Sequence, residues 1–461
     1  MPMVIESVEP AIEPLAAYRR IRVLGRGFML SVEDGPERYT VVGAGPSVVV
    51  DVEGDAILVD GRRLPLKDPF GFLAELMESE SPPTQPSPFP FSAGLVGFFA
   101  YDLNGLIEPS LKKKTEEDEL SGLPLASLGF YRTTYIYDMN RQRGFVLSLD
   151  GRKGVDSLRR LIEDSHAPQP KPFLADTEGI GSSFTESGYR DAIERALDYI
   201  AMGHVYQINL SQRLKLPACG DGLSLYAELW KDGAGRFSSF MEFDGFQIIS
   251  NTPERLLRIK DGVAEIEPIK GTRPRGKNPV EDNLLIEELK GSPKERAEHL
   301  MIVDLVRNDL GRFALPGSVR VVSFQRIESM PHLHHMVSTV RAELPEGLSP
   351  LLALRECFPG GSVTGTPKIR AMELIDELEP VPRGVYTGGL GWLDVSGRMD
   401  IAMAIRTAVY REPYLYLHVG GGIVADSDPT SEYRETLLKA EDFLNTLKRL
   451  KRCTLKSSGY M

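Results

Sequence analysis

The chain has few cysteines, and they are not placed for metal binding or disulfide bonding. Its 461 residues include only Cys219, Cys357 and Cys453, which are odd in number and far apart. No CxxC pair occurs, which argues against zinc-binding and disulfide-stapled classes. No apolar run approaches the ~20 residues of a membrane span, and the first ten residues lack the basic and then apolar pattern of a secretory signal. We therefore expect a cytoplasmic protein with no membrane partner.

Excess positive charge is also absent. The formal net charge is -11 at pH 7, which argues against nucleic acid as a partner. An anionic substrate would need local basic groups, because an acidic surface repels it. The motifs GxxxxGK[ST], GxSxG and HExxH, typical of nucleotide-binding proteins, hydrolases and metalloproteases, do not occur.

The hydrophobic pattern predicts an α+β protein, an α/β sandwich with large antiparallel sheets flanked by helices. Strands are predicted at 28–32, 39–42, 47–52, 56–59, 94–101, 205–214, 247–250, 256–259, 263–267, 386–393, 399–410 and 414–419. Helices are predicted from Ser187, as the N-cap, to Gly203, over 281–309 with a break at 291–293, and from about 428 to 450. Regular βα alternation is missing, so a Rossmann fold is not expected. A polar stretch at 164–183 suggests an N-terminal subdomain over 1–180, a second region over 184–445 and a short tail over 446–461.

The predicted strand at 205–214 has one wholly polar face. Gln207, Asn209, Ser211 and Arg213 alternate with apolar residues, so they share a side of the sheet. A polar face of this kind is either exposed to solvent or lines a cavity, and the pattern alone leaves both alternatives open.

Carboxylates on two predicted helices are candidate ligands for a hard cation. Glu432, Glu435 and Lys439 form one stripe of the last helix, which also suits a solvated face with an i, i+4 ion pair. Glu298 lies on an earlier helix, whose start at Ser292 and Pro293 has Glu295 as its capping-box acid. Carboxylates without a Cys or His cluster favour Mg²⁺. Three consecutive glycines, Gly420, Gly421 and Gly422, precede the last helix and predict an anion-binding turn.

Four further residues are candidates for chemistry. Lys270 follows a strand in EPIKGTRPRG; it is either a surface lysine or, if desolvated, a nucleophile. Glu254 is either a loop carboxylate paired with Arg255 or a general acid whose pKa burial has raised. His335 and Arg406 are candidates for hydrogen bonding to a substrate.

Several long runs in one order resemble the chorismate-utilising enzyme family. They include GHVYQINLSQRL, EPIKGTRPRG, KERAEHLMIVDLVRNDLGR, FPGGSVTGTPKIRAMELIDELEP, DIAMAIRTA and GGGIVADSDPTSEYRETLLKA. The resemblance is strong over about 184–445, which it identifies as the chorismate-binding catalytic region. The segment 1–180 resembles, more weakly, the N-terminal part of anthranilate synthase and aminodeoxychorismate synthase. The implied fold is the family's α/β sandwich of antiparallel sheets.

The resemblance also implies roles for particular residues. It assigns Mg²⁺ to Glu298 and Glu435, with Glu432 and Glu295 assisting through water, and it makes Glu254 the general acid at the C4 hydroxyl of chorismate. The residues that it implies for substrate contact are Gln207, Gly271, Thr272, His335, Thr364, Tyr386, Arg406, Gly420, Gly421, Gly422 and Lys439.

Two positions distinguish branches of the family. Members that add water at C2 have a lysine base where this chain has Gln207, so isochorismate synthesis is not expected. Lys270 resembles the PIKGT of aminodeoxychorismate synthases, whereas anthranilate synthases have PIAGT. The resemblance therefore implies component I of an aminodeoxychorismate synthase, with a covalent lysine adduct and with ammonia from a separate glutamine amidotransferase subunit. The alternatives are anthranilate synthase component I and a non-catalytic regulator that binds chorismate or tryptophan.

The chain departs from the family pattern at the segments that bind tryptophan in some members. Ser31 of the first segment is retained, but the second segment is AGRFSSF, with Arg236 near the usual proline. The resemblance therefore does not support tryptophan binding. Thr366 replaces the common alanine of GAPK, which is a small change.

Overall fold

A computed structural model describes residues 3–66, 68–81, 87–111, 118–164, 169–330 and 333–457, with side chains through residue 450. Within these residues it has 25 strands and 11 helices. The strands are β1 Val4–Val8, β2 Phe28–Asp34, β3 Glu37–Gly43, β4 Val48–Val52, β5 Ala56–Val59, β6 Arg62–Pro65, β7 Gly94–Phe99, β8 Ala126–Tyr131, β9 Thr133–Asp138, β10 Arg143–Ser148, β11 Leu174–Ala175, β12 Gly181–Ser182, β13 Gln207–Cys219, β14 Ser239–Phe243, β15 Phe246–Ser250, β16 Arg255–Lys260, β17 Val263–Ile266, β18 Ile269–Pro274, β19 Arg320–Ser329, β20 Leu333–Glu343, β21 Gly365–Thr366, β22 Gly389–Asp394, β23 Met399–Met403, β24 Thr407–Arg411 and β25 Tyr414–Ile423. The helices are α1 Pro14–Ile21, α2 Pro69–Glu80, α3 Asn104–Ile107, α4 Gly151–Glu163, α5 Glu186–Ala201, α6 Gly222–Lys231, α7 Pro279–Gly291, α8 Pro293–Gly311, α9 Pro350–Cys357, α10 Lys368–Leu378 and α11 Pro429–Ser457.

The strands form two large antiparallel sheets. The first runs β1-β10-β9-β3-β2-β14-β15-β24-β25-β13-β11, with β12 and β21 also paired to β13. The second runs β18-β20-β17-β16-β23-β22-β7-β8-β4-β5-β6, with β19 also paired to β20. Strands from the segment 1–180 and from the later region pair directly with each other in both sheets, as β2 does with β14 and β7 with β22.

The sheets pack face to face, and helices cover their outer faces. One buried cluster joins Phe28 and Val41 of the first sheet to Phe98 and Leu390 of the second. Another cluster packs α1, α4, α6 and α11 on the first sheet, and a third packs α2, α8 and α9 on the second. Strands such as β7 are buried at every residue, because the inner face meets the other sheet while the outer face meets a helix. The predicted α+β sandwich is therefore confirmed.

Local sequence chemistry explains most element boundaries but not all. Ser292 caps α8 as predicted, accepting a hydrogen bond from the Glu295 backbone N–H at 3.3 Å. The prediction that Ser187 caps α5 is wrong, because Thr185 lies before the helix and accepts from the Gly188 backbone N–H instead. The polar stretch at 164–183 contains β11 and β12, which pair with β13; its residues 165–168 lie outside the described part. Every helix in the described ranges is too short or too polar to cross a membrane.

The predicted strand at 399–410 is also wrong as a single strand. It divides into β23 of the second sheet and β24 of the first. Two short strands in different sheets, with an apolar link between them, give the same sequence pattern as one long strand. The helix α11 continues past residue 446, where the sequence suggested a tail.

Candidate active site

Two links between the sheets run side by side and carry two of the candidate residues. The link from β15 to β16 contains Glu254, and the link from β23 to β24 contains Arg406. The backbone N–H of Asn251 donates to the Arg406 carbonyl at 3.0 Å, and that of Met403 donates to the Glu254 carbonyl at 2.9 Å. Arg406 has a φ of 47°, a left-handed conformation that is uncommon for a residue with a side chain. The links therefore hold Glu254 and Arg406 where the two sheets meet.

Glu254 is a buried carboxyl group with little positive charge beside it. Its exposed fraction is 8%, and Ser362 Oγ donates to its Oε1 at 2.7 Å. Burial raises the pKa of Glu254, although the Ser362 hydrogen bond and the more distant charge of Lys270 oppose the rise. Pairing with Arg255 is not observed, because that guanidinium binds Asp400 instead at 2.9 Å. A carboxyl with a raised pKa is able to donate a proton near neutral pH.

The polar face of β13 lines the interior rather than solvent. Gln207, Asn209, Ser211 and Arg213 are all buried. Both amide atoms of Gln207 and the side-chain oxygen of Asn209 lack a hydrogen-bond partner among the described residues. Buried polar atoms are rarely left without partners, so these groups are candidates for contact with a ligand.

The three glycines form part of a strand, and the predicted turn is wrong. Gly420, Gly421 and Gly422 lie in β25, where they pair with Ser211, Leu210 and Asn209 of β13. A Cβ at Gly420 would lie 2.8 Å from the Tyr386 hydroxyl, and one at Gly422 would lie 2.9 Å from Nε2 of Gln207. Gly420 and Gly422 are therefore explained by space, because a side chain at either would fill the floor of the cleft, whereas Gly421 points to the opposite face of β25.

Lys270 reaches over this floor from the second sheet. Its Nζ would lie 3.3 Å from a Cβ at Gly422, beside the Gln207 amide. The side chain is half-buried, so it is not the freely solvated surface lysine that the sequence left open. The adjacent Gly271 has a φ of 83°, and a Cβ there would lie 3.0 Å from Oε2 of Glu295. The backbone after Lys270 therefore turns tightly against α8.

Carboxylates from α8 and α11 face each other at the other end of the glycines. A Cβ at Gly421 would lie 3.4 Å from Oε2 of Glu432 and 3.9 Å from Oε1 of Glu435. Burial raises the pKa of Glu298; the charges of Lys270 and Lys294 oppose the rise, and neighbouring Glu295 and Glu432 add to it. Burial likewise raises the pKa of Glu432, and Glu435 adds to the rise. These carboxylates lie close enough to repel one another.

Lysine side chains lie among the same carboxylates. Lys439 Nζ pairs with Glu435 at 2.8 Å and donates to the Gly420 carbonyl at 2.9 Å. Lys294 Nζ lies 3.9 Å from Glu298 Oε1, and Arg273 donates to Glu295 at 3.2 Å. Glu295 is therefore held by an arginine.

No three metal-ligating side chains among the described residues are already grouped closely enough to hold a metal ion. The chemistry of the set nevertheless fits a hard divalent cation, because burial and neighbouring acids raise the pKa of Glu298 and Glu432, and a positive ion between these oxygen donors would relieve that cost. Glu435 differs, since nearby lysines hold its pKa below the usual value despite burial. The magnesium site stays a prediction.

The remaining candidates surround the same cleft. His335 Nδ1 lies 3.0 Å from Thr272 Oγ1, and burial, helped by the Arg406 charge, lowers the pKa of His335 to about 4. His335 is therefore neutral at pH 7, so its ring is available for hydrogen bonds rather than for an ion pair. Thr364 is fully buried and donates to its own loop, to the Gly360 carbonyl at 3.1 Å.

Comparisons with known proteins agree with this geometry. A family model described as chorismate binding enzyme matches residues 27–445. Aminodeoxychorismate synthase component 1 of Salmonella typhimurium is 37% identical over 414 residues, covering 89% of this chain and 90% of that protein. Anthranilate synthase component 1 of Aquifex aeolicus is 34% identical over 473 residues, covering 97% and 94%. The crystal structure of anthranilate synthase component I from Streptococcus pneumoniae TIGR4 has a TM-score of 0.80 at 30% identity, covering 90% of this chain and 93% of the other.

The chain belongs to the chorismate-binding enzyme family. Membership confirms the resemblance that the sequence motifs indicated. It does not by itself distinguish the branches, since relatives named for two different reactions match this chain almost equally well.

Sequence patterns did not identify some residues that lie at the site. Ser362 donates to Glu254, Arg383 contacts Tyr386, and His418 stacks on Tyr386 with ring centroids 5.2 Å apart. No local pattern identifies Ser362, because it lies in a glycine-rich loop. His418 was detectable only as the residue two positions before the three glycines.

Proposed function

We propose that this chain is component I of an aminodeoxychorismate synthase, which converts chorismate and ammonia to 4-amino-4-deoxychorismate and water. The observation that supports this most is the amine of Lys270 above the glycine floor beside Gln207, in the cleft that Glu254 also lines. Relatives with this name are 36–37% identical to the chain. Anthranilate synthases have a similar segment, in which alanine stands in place of Lys270.

In the first step, the neutral amine of Lys270 attacks C2 of the ring. The ring double bond shifts, and the C4 hydroxyl leaves as water after Glu254 gives it a proton. The raised pKa of Glu254 suits this task, because it increases the fraction of the carboxyl group that has a proton to give. The amine loses one proton once the new C–N bond has formed, and this proton restores the acid form of Glu254, which can return it to Lys270 in the second step while the new ammonium group at C4 loses one.

In the second step, ammonia attacks C4, the double bond shifts back, and Lys270 leaves C2 as it regains a proton. A covalent nucleophile divides one difficult substitution into two easier ones. It also occupies C2, so ammonia cannot add there. Gln207 cannot act as a base, which agrees with ammonia rather than water as the nucleophile.

The carboxylates Glu298 and Glu435 would hold Mg²⁺, with Glu432 and Glu295 assisting. A bound Mg²⁺ would neutralise the ring carboxylate of chorismate against these acidic side chains. At this point Lys439 lies beside Glu435, and Gly421 has no side chain to occupy the space. The substrate carboxylate would lie here. Arg406 and Tyr386 would hold the enolpyruvyl carboxylate, and His335 and Thr364 would contact the ring.

Ammonia would come from a separate glutamine amidotransferase subunit. The relatives are named as component 1, which implies a second component. Free ammonium would replace that subunit in an assay.

Anthranilate synthase component I is the second candidate. It is favoured by the 34–38% identity to relatives with that name and by the TM-score of 0.80 to a solved structure of one. Lys270 is the residue that argues against it.

The test is product identification by mass spectrometry after incubating the purified chain with chorismate, Mg²⁺ and ammonium. The proposal predicts an amino product that retains the pyruvyl group, and removing Mg²⁺ with a chelator should stop its formation. Fluorescent anthranilate with released pyruvate would support the second candidate. Binding of chorismate without any consumption would support a non-catalytic regulator.

A further inference from the structure

Arg383 lies between α10 and β22 and is 2% exposed, yet every N–H group of its guanidinium has an acceptor. Nε and one terminal nitrogen donate to the two carboxylate oxygens of Glu379 at 2.9 and 2.7 Å. The terminal nitrogens also donate to the Asn209 carbonyl at 2.8 Å, the Val363 carbonyl at 2.9 Å and the Thr387 hydroxyl at 3.2 Å. The Arg383 side chain thus uses all five of its N–H donors, on acceptors from four residues.

The same guanidinium contacts two aromatic rings. It lies 4.8 Å from the ring centroid of Tyr101 and 5.8 Å from that of Tyr386. The Tyr386 ring also stacks on His418, with an angle of 10° between the rings. The Tyr386 hydroxyl therefore has a fixed position over Gly420.

The residues that Arg383 contacts belong to, or lie directly beside, parts of the cleft. Asn209 belongs to the buried polar face of β13, and Val363 directly precedes Thr364. The partner carboxylate of Glu379 also accepts from the backbone N–H of Ser211 at 2.8 Å. None of the polar atoms of Arg383 is left over for a ligand, so this residue acts through others.

We propose that Arg383 is a positioning residue, which fixes Tyr386, β13 and the loop before Thr364 relative to one another before chorismate binds. The proposal rests on the proposed function of the site. A buried ion pair is often neutral for stability when compared with apolar replacements, so stability alone does not account for it. Its geometric effect is large, because a displacement of about 1 Å in an active site costs about 100-fold in rate.

The test compares Arg383→Lys with Arg195→Lys. Lysine keeps the charge of Arg383 but cannot make the forked contacts to Glu379 and to two carbonyls. Arg195 pairs with Glu377 in α10, the helix that ends directly before Glu379, but both side chains are about half exposed. For Arg383→Lys we expect kcat/KM for chorismate to fall about 100-fold, mainly through a higher KM. For Arg195→Lys we expect wild-type values.

A role in folding alone would lower the amount of active enzyme and leave KM unchanged, which would overturn the proposal. If Arg383→Lys does not fold, Glu379→Gln takes its place, because an amide still reaches Ser211 but forms no ion pair; a wild-type KM in that variant would also overturn it. The wild-type chain is measured in the same assay. A wild-type chain that neither binds nor converts chorismate overturns the proposed function together with this inference, whereas normal wild-type turnover with unchanged KM in the variants overturns this inference alone.

Discussion

Two neighbouring regions at the second sheet differ in whether their buried charged side chains have direct ion-pair partners. Glu254 faces the cleft, whereas the next residue, Arg255, faces a cluster of arginines and acids. Arg255 donates to Asp400 at 2.9 and 3.0 Å and also pairs with Glu267. Burial alone would raise the pKa of Glu267, but three arginines hold it below its usual value; they are Arg236, Arg255 and Arg326. In this cluster every charge has an opposite charge beside it.

In the cleft, Glu254 forms no such direct ion pair among the described residues, although lysines lie beside the acids of α8 and α11. The pKa of Glu254 is raised by burial, and the Gln207 amide has no partner among the described residues. Lys270 lies shortly after Glu267 in the chain, and its amine lies near Gly422 and the Gln207 amide. Its charge lowers the pKa of Glu254, Glu298 and Glu435, but it forms no direct ion pair among the described residues. The difference indicates function, since fully paired buried charges belong to the framework whereas incompletely paired groups await a ligand.

The largest effect should follow from removing the amine in the cleft. Lys270→Ala should lower the rate of aminodeoxychorismate formation on the order of 1,000-fold, within the range for loss of a directly acting group. Thermal unfolding should change little, because the side chain leaves no ion-pair partner behind in the described part of the chain. Product analysis by mass spectrometry also detects any anthranilate, which becomes possible once C2 is open to ammonia. Full activity in this variant would refute the covalent mechanism.

The framework cluster should respond in stability instead. Arg255→Met leaves Asp400 and Glu267 buried without their main partner and should cost about 3–5 kcal/mol of unfolding free energy. Denaturant titration measures the loss. The control is Arg307→Met, which breaks an exposed pair with Asp304 and should cost about 0–1 kcal/mol. Equal losses in the two variants would remove the distinction between the regions.

A pH profile sharpens the role of the buried acid. Glu254 must be protonated to act, so kcat/KM should fall as the pH rises through its raised pKa. Glu254→Gln should lower kcat/KM about 100-fold and abolish this decline, because glutamine does not titrate. An unchanged decline at high pH in the variant would assign it to another group.

The smallest effect should follow from a substitution at Gly421, which lies beside the carboxylates of α11. A methyl group at Gly421 would meet Glu432, Lys439 and Glu435 at 3.4 to 3.9 Å, which is ordinary contact. Gly421→Ala should therefore fold normally but raise KM for chorismate about 10-fold, since the methyl group takes space from the ligand. Gly54→Ala, where a Cβ meets nothing within 4 Å, is the control. A wild-type KM for Gly421→Ala would mean that the ligand lies elsewhere.

Elements with strong local chemistry were predictable from the sequence. The strand Ala56–Val59 was predicted at its observed bounds, and the helix break at 291–293 follows from Ser292 and Pro293. The family motifs also named most residues that line the cleft.

Features that depend on distant partners were not predictable. Whether the polar face of β13 is buried depends on α10 and on the loop before Thr364, which lie far along the chain from β13. The three glycines have the pattern of a turn, and only their pairing with β13 makes them a strand. The closeness of Glu298 to Glu432 likewise depends on how α8 and α11 pack, which spacing within either helix cannot give.

The central claim is that Lys270 is a nucleophile, and intact-protein mass spectrometry tests it most directly. The chain is incubated with chorismate and Mg²⁺ without ammonium, quenched in acid and digested to locate any modification. The account predicts a species heavier by one chorismate less one water, with the added mass on Lys270. An unmodified Lys270 in enzyme that goes on to make the amino product when ammonium is added would contradict the account.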